Sequence, residues 1–236
     1  MTDTGTLYLI PCLLGDSRVE QSIPAYNTEV INKIDEFIVE DIRSARRFLI
    51  KAGITKAIDD LTFHLLNEHT KIDEISHYLE SSTKGKDIGL LSDAGCPGIA
   101  DPGAVIVRIA HRKNIKVVPL IGPSSILLAL ISSGLNGQNF SFNGYLPKKA
   151  EDRIKKLKQL ETIALKDNCT QIFIETPYRN DSILKDILGA CRSETMLCVA
   201  SDLTLATEQI RTMSIGEWKN KKHSFNDHPA VFLIGK

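Results

Sequence analysis

Two loops rich in Gly, Pro, Ser and Asp follow apolar runs of this chain: Ser92-Asp93-Ala94-Gly95-Cys96-Pro97-Gly98 and Ile121-Gly122-Pro123-Ser124-Ser125. Residues of these types let main-chain amides crowd around a ligand where a strand hands over to a helix, the chemistry of binding a flat or zwitterionic small molecule. Gly95 admits backbone conformations closed to other residues. Asp93 has two open roles: it fixes its loop by accepting from local amides, or it accepts from a ligand ammonium or hydroxyl. Two such loops at the carboxyl ends of strands point to one crevice.

Other polar groups sit in apolar surroundings. Glu40, Asp41 and Arg43 close an apolar run, where they serve either as a helix start with a structural ion pair or as cleft-lining groups. Glu175-Thr176-Pro177-Tyr178-Arg179 repeats the theme after the run at 171–174. His64, Asn67, Glu68 and His69 lie close together, yet no second carboxylate or histidine stands at ligand spacing, so no metal site is expected. The phosphate-loop, dinucleotide, zinc-protease and nucleophile-elbow motifs are absent, so those chemistries lack their sequence mechanics.

The elements that must hold these groups alternate. Short strands are expected at 6–10, 62–66, 87–91 and 115–120, with helices at 29–37, 41–52, 70–81 and 104–112. That pattern predicts a largely parallel sheet covered on both faces, in an N-terminal α/β domain over residues 1–119. Gly53 is placed to stop the second helix, and Asp101-Pro102 to start the fourth. In a C-terminal domain over 120–236, helices are expected at 124–134, 151–165 and 178–190, with strands at 141–145, 171–175, 195–201, 207–213 and 230–234. The last three strands have little helix between them, which predicts a mixed sheet. The span from 11 to 30 is the longest weakly patterned stretch.

Composition bounds the partners. A chain of 236 residues, 42% hydrophobic, has the length for one large or two small domains and no apolar run that reaches across a bilayer. Met1 to Asp3 open no basic and apolar leader, so no membrane partner and a cytoplasmic location are expected. The five cysteines are odd in number and scattered, against a disulfide framework. Equal counts of 29 basic and 29 acidic residues demand no nucleic acid. Local charge differs: six Lys/Arg stand between Lys148 and Lys158, and Lys219, Lys221 and Lys222 cluster later. Each is either a solvated face or a phosphate-contacting patch.

An ordered set of segments carries a resemblance: LYLIPCLLGD (7–16), VEDIRSARRFL (39–49), SDAGCPGIADPG (92–103), VVPLIGPSSILLALISSGL (117–135), FSFNGYLPKK (140–149) and IFIETPYRNDSILKDI (172–187). Together they resemble the tetrapyrrole-methylase superfamily over roughly residues 6 to 216, and within it the branch that methylates a cytidine 2′-oxygen of 16S ribosomal RNA. The resemblance implies a two-domain α/β fold, a homodimer, and S-adenosylmethionine held in the cleft between the domains. It further implies that Asp93, Ala94, Gly95, Cys96, Ser124, Ser125, Tyr145 and Leu146 line the cofactor pocket. Glu40, Asp41, Arg43, Asn67, Glu68, Glu175 and Arg179 would face the substrate, with Glu40, Asp41, Arg43 and Glu175 as catalytic candidates.

Three segments depart from the family's pattern. Its Pro-x-Pro-x-Gly-Asn opening reads Pro11-Cys12-Leu13-Leu14-Gly15-Asp16 here, its Arg-Glu-Leu-Thr-Lys reads Ser201-Asp202-Leu203-Thr204-Leu205, and its Lys-Gly-Glu reads Asp227-His228-Pro229. The chain stops at Lys236, soon after its last expected strand, so no further segment for gripping RNA is expected. The leading expectation is an RNA methyltransferase acting on 16S rRNA or the 30S subunit. A methyltransferase of the same fold acting on a small molecule such as a tetrapyrrole, and a non-catalytic cofactor-binding protein, stay open beside it.

Overall fold

The computed structural model describes residues 4–67 and 69–236, with the main-chain path alone at 72 and 73. Met1–Asp3 and Glu68, named above, lie outside them. The chain divides into two compact units, Met1–Ser124 and Ser125–Lys236.

The first unit runs β1 (Thr6–Ile10), α1 (Ala25–Ile31), β2 (Glu36–Val39), α2 (Ile42–Lys51), β3 (Thr62–Leu65), α3 (Ile72–Ile75), β4 (Ile88–Leu91), α4 (Ala104–Arg112) and β5 (Lys116–Pro119). Its strands form one parallel sheet in the order β3-β2-β4-β1-β5. Strands so placed are apolar on both faces. Leu7, Ile38, Ile88 and Leu90 pack to one side against Ile75, Leu79 and the Ile106 and Ala110 stripe of α4. Ile10, Phe37, Val39 and Leu91 pack to the other against Val30 and Ile31 of α1 and Ala45, Phe48 and Leu49 of α2. Gly89 gives the Phe37 ring its room, since a Cβ there would stand 2.6 Å from Phe37 Cδ1.

Two expected helices change here. The helix at 29–37 is instead α1, ending at Ile31, followed by β2. Phe37, Ile38 and Val39 are each at most 1% exposed because β2 sits between β3 and β4, and burial on both faces overrides a helical reading of apolar spacing. At 70–81 only α3 is α-helical. Lys71 offers it no side-chain cap, and the Ser-His-Tyr that follows is weak helix material.

The second unit runs α5 (Ser125–Ser133), β6 (Phe140–Tyr145), α6 (Ala150–Asp167), β7 (Thr170–Ile174), α7 (Asn180–Ala190), β8 (Met196–Ser201), β9 (Gln209–Ser214), α8 (Ile215–Lys219) and β10 (Ala230–Gly235). The sheet order is β6-β7-β10-β8-β9, with β6 and β7 parallel and the other pairs antiparallel. Hence β6, β7 and β8 point the same way and end along one edge. The core joins Leu157, Leu160 and Ala164 of α6 to Ile183, Leu184 and Ile187 of α7, over Phe173 and Phe232, whose rings stack 5.8 Å apart. Trp218 is fully buried and donates its Nε1–H to Leu197 O at 2.9 Å. Its helix α8, which the periodicity does not show, starts on a reciprocal Ser214–Glu217 capping box.

The basic run at 148–158 is not one surface. Arg153 is buried against Asp186, with Nε donating to Oδ2 at 2.7 Å and Nη1 donating to the carbonyls of Pro147 (3.2 Å) and Lys148 (2.8 Å). Lys148, Lys149, Lys155 and Lys158 are exposed. The five cysteines are free thiols, and no helix among the described residues is long and apolar enough to cross a membrane.

Candidate functional site

In the first unit the candidate residues gather at the carboxyl ends of β1, β2 and β4. The connections leaving the adjacent strands β1 and β4 run opposite ways along the sheet, to β2 and to β5, the arrangement that opens a crevice in α/β sheets. Two hydrogen bonds tie the loops together there: Cys12 N–H donates to Gly95 O at 2.9 Å and Gly95 N–H donates to Cys12 O at 3.2 Å. Gly95 takes φ +71°, a left-handed conformation in which an added Cβ would stand 3.3 Å from Leu14 Cδ2. Gly122 meets the same loop from the other side, where a Cβ would overlap Pro11 Cγ at 2.2 Å. Cys96 Sγ–H donates to Pro123 O at 3.4 Å.

A residue outside the expected set organises this loop. Asp101 accepts from Gly98 N–H through both oxygens, at 2.8 and 2.9 Å, and from Gly103 N–H at 2.7 Å. It therefore clamps the loop internally and does not cap α4, which begins at Ala104 without a side-chain cap. The clamp spans Ala100, held at φ +59°. An Asp two residues before a Gly, in a segment with two more glycines, was the signal for it.

Carboxylates surround the loop in different states. Glu40, at the end of β2, accepts from Asp93 N–H at a long 3.4 Å. Burial, then the charge of Asp101, pushes the Glu40 carboxyl above its usual range. Burial, then the charge of Asp41, does the same for Asp93, whose carboxylate has no hydrogen-bond partner among the described residues. Asp41 is committed as the N-cap of α2, accepting from Ser44 N–H at 2.7 Å, and that bond holds it below its usual range. Arg43 stands in the first turn of α2. Burial raises the Cys12 and Cys96 thiols, so neither is a ready nucleophile. Asn67 closes a local turn, with its Oδ1 accepting from His69 N–H at 2.9 Å.

In the second unit the candidates lie along the edge where β6 and β7 end. Tyr145 is the last residue of β6, opposite Ile174, after a bulge in which Gly144 takes φ +63°. The residue is 59% exposed, whereas the Leu146 side chain lies in the core and offers a ligand only its main chain. Glu175 is buried beside Arg179 with Oε2 3.0 Å from Nη2, and its Oε1 accepts from Thr176 N–H at 2.8 Å. The ion pair has the distance but not the alignment of a hydrogen bond, so both Glu175 Oε2 and Arg179 Nη2 are left without one. Ser125 opens α5, and Ser124 precedes it.

Thus Glu40, Asp41, Asp93, Gly95 and Cys96 converge within the first unit, and Tyr145, Glu175 and Arg179 within the second. No group of three or more His, Cys, Asp or Glu among the described residues is arranged to hold a metal ion.

A sequence profile described as Tetrapyrrole (Corrin/Porphyrin) Methylases matches residues 14–219. The chain is 33% identical over 224 residues to the Ribosomal RNA small subunit methyltransferase I of Vibrio cholerae, covering 92% of this chain and 74% of that one. It is 33% identical over 233 residues to the protein of the same name from Escherichia coli O157:H7, covering 98% and 77%. Among solved structures, the methyltransferase CobJ superposes with a TM-score of 0.65 at 16% identity over 99% of this chain and 95% of that one. A uroporphyrin-III-C-methyltransferase from Thermus thermophilus gives 0.56, also at 16%, over 98% and 92%. At that identity the two structures speak for the fold alone.

Proposed function

Because the chain belongs to the tetrapyrrole (corrin/porphyrin) methylase family and is a methyltransferase, we propose that it methylates a cytidine 2′-oxygen of 16S ribosomal RNA with S-adenosylmethionine as donor. The observation that carries the acceptor is one-third identity, sustained over nearly the whole chain, with relatives named for the small ribosomal subunit. We also place the protein in the cytoplasm and expect a homodimer.

The cofactor, when bound, supplies the methyl group on a cationic sulfonium. The loop at 92–98 fits such a group. It offers a partnerless Asp93 carboxylate and the Ala94 and Cys96 main-chain amides, which donate to no partner among the described residues. Gly98, at φ +84° with nothing within 4 Å of where its Cβ would be, leaves the rim open. Asp93 and Glu40 both resist ionisation, so a cation beside them offsets the penalty of their charge. We assign cofactor contacts to Asp93, Ala94, Gly95 and Cys96, with Ser124 beside them. Of the catalytic candidates, Asp41 is tied down as a cap and Glu175 by its ion pair, which leaves Glu40 with the carboxylate best suited to electrostatic work.

The test is transfer of radiolabelled methyl to 30S subunits that lack the modification, with the product located at a cytidine 2′-oxygen. Label confined to protein or to small molecules would count against the reading. The lysines of α6, Lys155 and Lys158 exposed and Lys156 partly so, supply a second expectation. Reversing Lys155, Lys156 and Lys158 to Glu on α6 should weaken RNA binding at low salt and flatten its salt dependence. Each lost phosphate contact should take about 0.7 to 0.9 from the slope. RNA affinity unchanged in that variant would show that α6 does not face the RNA.

A further inference from the structure

We propose that a cavity toward the amino ends of β2 and β4 binds a phosphate ester, on the opposite edge of the first sheet from the loop at 92–98. The cavity has a volume of about 450 Å³ and is lined by the first unit alone. Glu36 opens β2, His64 lies in the neighbouring β3, and Lys86 stands just before β4. Sites for small molecules run from about 300 to 1,000 Å³, so there is room for more than a bare phosphate.

The acids of this cavity are already engaged. Glu36 Oε1 stands 2.7 Å from His64 Nε2, with the two side chains 17% and 24% exposed and the imidazole stacked on the Tyr78 ring. Glu80 is paired with His77 Nδ1, and that bond holds the Glu80 carboxyl below its usual range. Each ring keeps its other nitrogen, His64 Nδ1 or His77 Nε2, unbonded among the described residues.

The donors are not engaged. Lys84 and Lys86 line the cavity, are exposed, and make no side-chain hydrogen bond or ion pair with a described residue. Ser81 Oγ, also in the lining, is buried without a hydrogen bond. Two ammonium groups and a hydroxyl left in one cavity call for an anion rich in acceptors. A phosphate ester presents more acceptor oxygens than a carboxylate, and lysine binds it as a point charge.

The main chain sets where both lysines start. Lys84 N–H and Lys86 N–H donate to the same carbonyl, Ser81 O, at 3.0 and 3.2 Å, with Gly85 between them at φ +90°. Gly5 N–H donates to Ser82 O at 2.8 Å, and a Cβ on Gly5 would overlap Lys86 O at 1.9 Å, so the turn is packed against the approach to β1. Thr6 N–H donates to Asp87 Oδ1 at 2.8 Å and fixes the far side of the turn. A turn held this way loses little freedom when a ligand arrives.

A free nucleotide and the backbone of an RNA strand both carry this chemistry. The full-length protein is titrated calorimetrically, at low salt, with inorganic phosphate, with cytidine 5′-monophosphate and with a short single-stranded RNA. The wild type is compared with Lys84→Ala, Lys86→Ala and with Lys33→Ala, Lys116→Ala, a pair of exposed lysines outside the cavity. The first double variant should bind roughly tenfold or more weakly, the second like the wild type, with melting temperature and S-adenosylmethionine affinity unchanged in both. Loss seen with the monophosphate supports a site for a free phosphate ester, and loss seen with RNA alone supports a contact to its backbone. No binding of any of the three by the wild type overturns the site, as does an equal effect of the two double variants. The site needs neither methyl donor nor acceptor, so a protein that binds the monophosphate yet leaves 30S subunits unmethylated keeps the site and loses only the proposed acceptor.

Discussion

Gly95→Trp is expected to lower affinity for S-adenosylmethionine by roughly a hundredfold or more, about 2.7 kcal/mol, in a protein whose melting temperature falls by only about 2–8 °C. Two effects separate: any residue with a Cβ in the left-handed region is strained by about 1–2 kcal/mol, which lowers stability rather than affinity, and Gly95 sits at φ +71°. The Cβ would also press on Leu14 Cδ2, 3.3 Å away, with Pro123 O at 3.6 Å, so the indole must leave toward the open side of the loop where the ligand is placed. Calorimetric titration reads the outcome. Wild-type affinity in the variant would mean that the cofactor lies elsewhere, whereas no binding by the wild type would bring the cofactor assignment down altogether.

Arg153→Ala should destabilise the second unit by about 3–5 kcal/mol, although the charge stands in a run of surface lysines. Removing it strands Asp186, only 17% exposed at its side chain, without its cation, and frees the Pro147 and Lys148 carbonyls. A loss of that size corresponds to a melting temperature lower by roughly 6–20 °C. The double variant Arg153→Met, Asp186→Leu should recover most of the loss, because an apolar pair of similar volume avoids burying either charge. Thermal unfolding of the four proteins in the cycle gives the coupling, and an Arg153→Ala protein that melts with the wild type would refute the buried pair. The same variant loosens the turn after β6, so Tyr145 and the two exposed lysines behind it would lose their fixed exit from the sheet.

The sequence shows punctuation well and neighbours poorly. Helix α4 stands at the residues that the apolar spacing marked, because Asn114 and the run into β5 close it sharply. Strand β2 was hidden, since Phe37-Ile38-Val39 directly follows a helical stretch and only the places of β3 and β4 beside it force the extended form. The two glycine-rich loops could be located at strand ends, yet their meeting with Cys12 depends on β1 lying next to β4, which no local pattern states. Arg153 shows the limit for charge: its type and company speak for water, while Asp186, a full helix away in sequence, decides its burial. Asp202 and His228 were visible as departures from a family pattern at two separate places. Their contact, Asp202 Oδ2 to His228 Nδ1 at 2.7 Å, required the β8–β10 pairing.

That pairing also sets the order in which the molecule can assemble. Every strand of the first sheet belongs to residues up to Pro119, whereas β10, the latest strand of the second, lies at its middle between β7 and β8. As the polypeptide emerges from the ribosome, the first sheet can close early. The second must wait as two open ribbons, β6–β7 and β8–β9, with unpaired inner edges exposed. The nascent second unit is therefore the half that a chaperone would have to guard, and the half in which a stalled or shortened translation product would aggregate.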